Sequence, residues 1–364
     1  MESSTDEREI MLYRLKLYLL GILSCCILMA ACKSKTPTAP EGPAAISALH
    51  TDGRWFLNEQ NERVHLKGVN IPGLEWDAND SHIIQSVNVA ISWGCNLLRI
   101  PVSQDRWYGY APEQSDDGSH YRDVVQTIVD IGEEKRVYIW IDLHWSNGSQ
   151  WGQYIGQHIM PDAISLIFWK EIAAKYGNHP AVLFGIYNEP YGIDWEMWRE
   201  GGEVDEYYNR NNEDVTITFN AVGHQTFVNE IRALGADNII IAAGLDWGFD
   251  LSGILTGYAL AGENIAYDTH PYPWKSSNWD HHFGDIGEQY PLIVGEWGGA
   301  EEDSLYFDAI TGYMREHKFC WAAWCFHPSA GPQMLQDWTY APTYFGQIVK
   351  DELAKSVDLY EDSE

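Results

Sequence analysis

Eight short runs of almost unbroken apolar residues recur along the chain, at 66–70, 96–102, 137–144, 182–188, 238–243, 265–270, 292–296 and 321–326. Runs this short and this apolar read as strands buried on both faces, the pattern of a parallel sheet covered by helices. Between most of them the period changes to that of a helix. Phe227, Ile231 and Leu234 recur at i, i+4, i+7, and Leu305, Ala309 and Tyr313 at i, i+4, i+8. Pro161 marks the start of another helix and Gly177 its end. The helical signal is weakest between the fifth and sixth runs. Eight strand–helix repeats within about 300 residues predict an α/β fold closed into a (β/α)8 TIM barrel rather than an open sheet. No glycine-rich fingerprint follows the first run, which argues against a dinucleotide crevice.

Ahead of the first run lies a hairpin pattern, with 54–57 and 63–66 as arms and the polar stretch 58–62 as turn. Earlier still, Arg14 and Lys16 precede an apolar stretch at 17–31, the layout of a secretory signal rather than a membrane span. Its end, Leu28-Met29-Ala30-Ala31-Cys32, resembles a bacterial lipoprotein signal, in which the cysteine is acylated. Met11 offers an alternative start. Residues 33–48 are rich in Pro, Ala, Thr and Lys, a tether composition. The predicted organisation is therefore signal 1–31, linker 32–48, catalytic barrel 49–357 and acidic tail 358–364. The chain is expected to be exported, as a cell-surface or outer-membrane lipoprotein or as an extracellular protein. Membrane contact is expected only through the lipid on Cys32.

A formal net charge of −30 repels phosphate backbones, so nucleic acid is excluded as an expected partner. Seventeen Trp and 21 Tyr are a rich supply of flat faces, useful for packing on sugar rings or in a core. Three of the six cysteines fall in the signal region. The other three, Cys95, Cys320 and Cys325, form neither a disulfide framework nor a CxxC metal pattern; one must stay unpaired in a monomer, and Cys320 and Cys325, which flank a strand, are expected as small buried hydrophobes. A monomer is expected.

In a (β/α)8 barrel the chemistry sits where the strands end. The predicted strands end in Arg99, in Asp142-Leu143-His144, in Asn188-Glu189, in Asp268-Thr269-His270-Pro271-Tyr272, in Glu296 and in Trp324. Glu189 and Glu296 close the fourth and seventh strands, nearly opposite one another. Two carboxyls flanking a cleft suit glycosidic bond hydrolysis, one protonating the leaving oxygen while the other attacks or activates water. Either alone reads equally as a salt bridge or a metal ligand. No His-x-His ends the first strand, where Asn70 stands, so no metal and no cofactor are expected.

These motifs together resemble glycoside hydrolase family five, the cellulase family. They are Leu66-Lys67-Gly68-Val69-Asn70, Leu98-Arg99-Ile100-Pro101, Ile186-Tyr187-Asn188-Glu189-Pro190, His270-Pro271-Tyr272 and Val294-Gly295-Glu296-Trp297-Gly298, and the resemblance runs from about Asp52 to Lys355. It implies that Glu189 is the general acid/base and Glu296 the nucleophile. Asn188 is placed to hold a sugar 2-hydroxyl, Arg99 and Tyr272 to keep Glu296 ionised, His270 and His144 to tune Glu189, and Trp324 to lie under the sugar. The implied activity is retaining, endo-acting cleavage of β-1,4-glucan. Other β-glycanase activity, on mannan or mixed-linkage glucan, and non-catalytic glycan binding are the alternatives. The acidic stretch 191–216 is expected as a solvated loop, with calcium binding as its minor reading.

Overall fold

The computed structural model describes residues 45–79, 81–210 and 213–361. Cys32 and the rest of the predicted signal lie outside the described residues. Eight parallel strands close into a barrel: β3 (Lys67–Asn70), β4 (Leu97–Ser103), β5 (Tyr138–Trp145), β6 (Val182–Gly185), β9 (Ile240–Ala243), β10 (Ile265–Thr269), β11 (Leu292–Val294) and β12 (Cys320–Ala323). The seam is the β12–β3 pair, with Trp321 opposite Lys67. Each of the eight apolar runs supplies one strand. Alternation sorts their side chains. On β5, Ile139, Ile141 and Leu143 face the helical layer, while Tyr138 and Trp140 fill the barrel interior with Leu97, Leu183, Ile241 and Ile293. Gly185 makes room for that filling, because a Cβ there would lie 2.1 Å from Trp140 Nε1.

The covering helices include α1 (Ile83–Ser92), α2 (Ser119–Lys135), α3 (Ala163–Tyr176), α4 (Trp195–Glu200), α5 (His224–Ala233), α6 (Ser304–His317) and α7 (Tyr344–Leu353). Pro161 and Gly177 do bracket α3. Asp162 caps it, accepting from the Ile164 and Ser165 amides. Between β9 and β10 the chain makes only a 3-10 turn, Ser252–Thr256, in line with the weak helical signal there. The face of α6 is not the expected one. Leu305 is 84% exposed and Ala309 also faces solvent, whereas Phe307, Ile310, Thr311 and Met314 are buried. Two interleaved apolar stripes compete on this helix, and the larger phenylalanine wins the core.

The N-terminal hairpin pairs β1 (His50–Asp52) with β2 (Trp55–Leu57). Its tight turn carries Gly53 at φ +54°, which a glycine adopts without strain. The predicted second arm joins only through a Leu57–Arg63 bridge. Phe56 from this hairpin, with Ile46 and Leu49, plugs the barrel floor against Leu66, Leu97 and Tyr138. Packing therefore starts ahead of the expected residue 49. It also continues past 357, since Leu359 is buried and Tyr360 accepts from the Arg63 amide at 3.0 Å.

Residues 191–216 are not a solvated loop. They form α4 and most of a hairpin, β7 (Gly201–Arg210) with β8 (Glu213–Val222). Val204, Ile217, Phe219 and Ala221 pack with Ile159 and Met160 beneath it. Asp194 caps α4, Glu203 and Asp205 face solvent, and Glu206 points inward. The acids thus diverge rather than converging on one cation.

Candidate active site

The chemistry gathers where the barrel strands end, as parity along them dictates. Arg99 stands above Trp140 inside the barrel, its guanidinium 4.8 Å from the ring centre. It is fully buried and serves four partners. Nη1 donates to Asn70 Oδ1 at 2.8 Å and to Glu296 Oε1 at 2.6 Å; Nη2 donates to Asn188 Oδ1 at 2.5 Å and pairs with Asp142 at 3.0 Å. Asn70 is fixed in turn by donating to the carbonyls of Gly295, Ala322 and Ala323.

Glu296 follows β11. Besides Arg99 it accepts from the Tyr272 hydroxyl at 2.8 Å, and His270 Nδ1 lies 3.8 Å away. Burial alone would raise its pKa, but His270, Arg99 and the Tyr272 bond overcome that and hold the carboxyl at about 2. Glu189 follows β6 and keeps 19% of its side chain open to the cleft. Burial pushes its pKa up, aided by the charge on Glu296, and the His270 bond only partly offsets this. One carboxyl is thus held ionised and the other protonatable. They offer oxygens within 4.8 Å of one another. Retaining pairs stand about 5–5.5 Å apart and inverting pairs roughly 6.5–9.5 Å, and facing oxygens this close fit the retaining arrangement.

His270 bridges the pair. Nδ1 meets Glu189 Oε1 at 2.9 Å and Nε2 meets Asp268 Oδ2 at 3.0 Å. Burial would lower its pKa, but the carboxylates of Glu296, Asp268 and Glu189 push it up to about 10. Each ring nitrogen therefore donates to a carboxylate. Glu189, His270 and Glu296 are close enough to hold an ion, and Arg99 and Tyr272 already bond Glu296 there.

Every catalytic or substrate-contacting residue expected from the sequence lies at this mouth. His144 acts on Glu189 through its charge, which lowers that pKa, while its contacts lie elsewhere. Nδ1 bonds Asp142 at 2.8 Å, Nε2 faces the Asn188 amide at 3.3 Å, and the ring is parallel to Trp324 with centres 5.2 Å apart. It supports Asn188 rather than touching Glu189. Trp324 is half-buried, its Nε1 donating to the Gly331 carbonyl at 3.0 Å. Of the tryptophans elsewhere near the strand ends, Trp107 and Trp297 belong to the core, whereas Trp274 is exposed and stacks on Tyr272.

Sequence reasoning named Asp142 and Asp268 only as strand ends, with no role, and passed over Gln157. The two aspartates had a signal: each stands two residues before a site histidine, hence on the same face of its strand. Gly295 leaves space for Asp268 and donates to it at 2.8 Å. Gln157, which accepts from Asn188 at 3.0 Å and donates to the Glu189 carbonyl at 3.0 Å, sits in an irregular loop with no such signal.

A barrel mouth with one ionised and one protonatable glutamate at this spacing defines a class, the retaining two-carboxylate glycoside hydrolases. The chain belongs to glycosyl hydrolase family 5, the cellulases, which it matches over residues 57–330. Among its relatives is an endoglucanase of Paenibacillus polymyxa, 22% identical over 84% of this chain and 86% of that one. A manganese dependent endoglucanase of Phanerodontia chrysosporium is 32% identical over 58% of this chain and 47% of its own length. Against several curated relatives, including endoglucanase A of Butyrivibrio fibrisolvens at 53%, the chain spans about half of their length. Similar solved structures include a β-glucanase from Saccharophagus degradans in complex with cellotetraose. It has a TM-score of 0.66 and 20% identity, covering 88% of this chain and 98% of that one.

Proposed function

We propose that this protein hydrolyses internal β-1,4 bonds of glucan with retention of configuration, Glu189 acting as acid/base and Glu296 as nucleophile. The opposed ionisation of the two glutamates carries this reading. A Glu296 oxygen attacks the anomeric carbon while Glu189 gives its proton to the glycosidic oxygen, and that C–O bond breaks. His270 occupies Glu189 Oε1, which leaves Oε2 to carry the proton. In the second half, Glu189, now a carboxylate, takes a proton from water. The water oxygen attacks the same carbon and Glu296 departs. Asn188 holds the 2-hydroxyl and Trp324 lies against the ring face. The β-glucan preference is supported by relatives named as endoglucanases and by the cellotetraose held by the S. degradans β-glucanase.

A screen on carboxymethylcellulose, β-mannan, xyloglucan and mixed-linkage glucan, with and without chelator, tests the substrate class. Proton NMR of early products tests the mechanism: the β-anomer is expected first, and an initial α-anomer would refute retention. We further propose export with acylation at Cys32, residues 33–44 serving as tether and the barrel working as a monomer. Mass spectrometry of the mature N-terminus decides the acylation, and a free terminus elsewhere would refute it.

A further inference from the structure

Among the buried carboxylates that the mechanism leaves unused is Glu206. Glu206 lies on β7, where its neighbours Glu203 and Asp205 face solvent, yet it is only 3% exposed. It occupies the inward parity shared with Val204, a core position on this hairpin. Its Oε2 lies 2.6 Å from His158 Nδ1, and its Oε1 accepts from the Tyr191 hydroxyl at 2.7 Å. A buried charge at a core position is costly unless it is paired, so this arrangement specifies geometry rather than adding burial.

Both residues held by Glu206 lead to Glu189. His158 follows Gln157, which donates to the Glu189 carbonyl and accepts from Asn188. The carbonyl of His158 itself accepts from Tyr187 at 2.8 Å. Tyr191 lies two residues after Glu189, and its ring stacks on Trp247 with centres 3.6 Å apart and planes 6° off parallel. Trp247 donates its amide to the Pro190 carbonyl at 3.1 Å. The backbone of Glu189 is therefore gripped from two sides by groups that converge on one side chain of the hairpin.

We propose that Glu206 is a positioning residue for Glu189: the hairpin Gly201–Val222 clamps the two segments that aim the acid/base, without touching substrate. This rests on the reading of Glu189 as the acid/base. Losing the clamp displaces the proton donor, while Glu296, held by Arg99 and Tyr272, keeps its place.

The test compares kcat/KM on two substrates. Cellopentaose expels an alkoxide that needs Glu189's proton; 2,4-dinitrophenyl β-cellobioside expels a phenolate that does not. For Glu206→Ala the expected loss is at least about tenfold on cellopentaose and under about twofold on the aryl substrate. Glu206→Gln, whose amide still reaches Tyr191 and His158, should restore most of the cellopentaose rate. Equal losses on both substrates, or no loss on cellopentaose, would overturn the proposal. If Glu206→Ala does not fold, Tyr191→Phe, which removes only one hydroxyl, is read by the same ratio. Wild-type protein inactive on both substrates would instead refute the glucanase reading, so the two failures are distinct.

Discussion

Glu296 and Glu189 share one cation, His270, and this ties their titrations together. Turnover needs Glu296 ionised and Glu189 protonated. With Glu296 at about 2, the acid limb of kcat/KM falls well below the ordinary glutamate value of about 4.3, and the raised Glu189 pKa carries the alkaline limb above it. The charge on His270 lowers both carboxyl pKa values. His270→Asn should therefore move both limbs to higher pH, and a pH–rate profile that kept either limb in place would contradict the shared-cation geometry. Replacing the glutamates themselves is more drastic. Glu189→Gln should cost about 10²–10⁴-fold in turnover of glucan, and Glu296→Gln at least about 10³-fold. Calorimetry with cellotetraose should find binding by both variants.

At the scale of elements, burial rather than periodicity decides which substitutions matter. On α6, Phe307→Ala should cost about 3–5 kcal/mol, whereas Leu305→Lys should stay within about 0.5 kcal/mol; urea unfolding measures both. Ile46→Ala, in the floor plug, should cost about 2–5 kcal/mol in the same assay. These outcomes mark where the sequence was readable. The eight strands were legible because both their faces are buried, so no solvent-facing residue interrupts the apolar runs. The site was legible for the same reason in reverse: polar residues ending such runs have nowhere to point but the mouth. The α6 face was obscured by two competing stripes. The β7–β8 hairpin was hidden because β7 turns only Val204 and Glu206 inward at its centre, one of them a carboxylate, so its alternation looked like uninterrupted polarity. Gln157 and His144's choice of partner depend on loop placement and rotamer, which no spacing encodes.

The barrel and its chemistry are linked through a single residue. Arg99, on β4, meets Asn70 on β3, Asp142 on β5, Asn188 beyond β6 and Glu296 beyond β11, so it reaches across the β12–β3 seam to the nucleophile. The low pKa of Glu296 is consequently in part a property of the closed ring, because Arg99 adds to the effect of His270 and Tyr272 beyond the neighbouring β10. Turnover is then a reporter of closure. A fragment lacking part of the ring would have no fraction of the rate in proportion to the strands it keeps. During refolding from urea, the return of activity should follow, and never precede, hydrogen-exchange protection of the amides paired between β12 and β3. Selection acting on catalysis in such a molecule also acts, through one guanidinium, on the completeness of its folding.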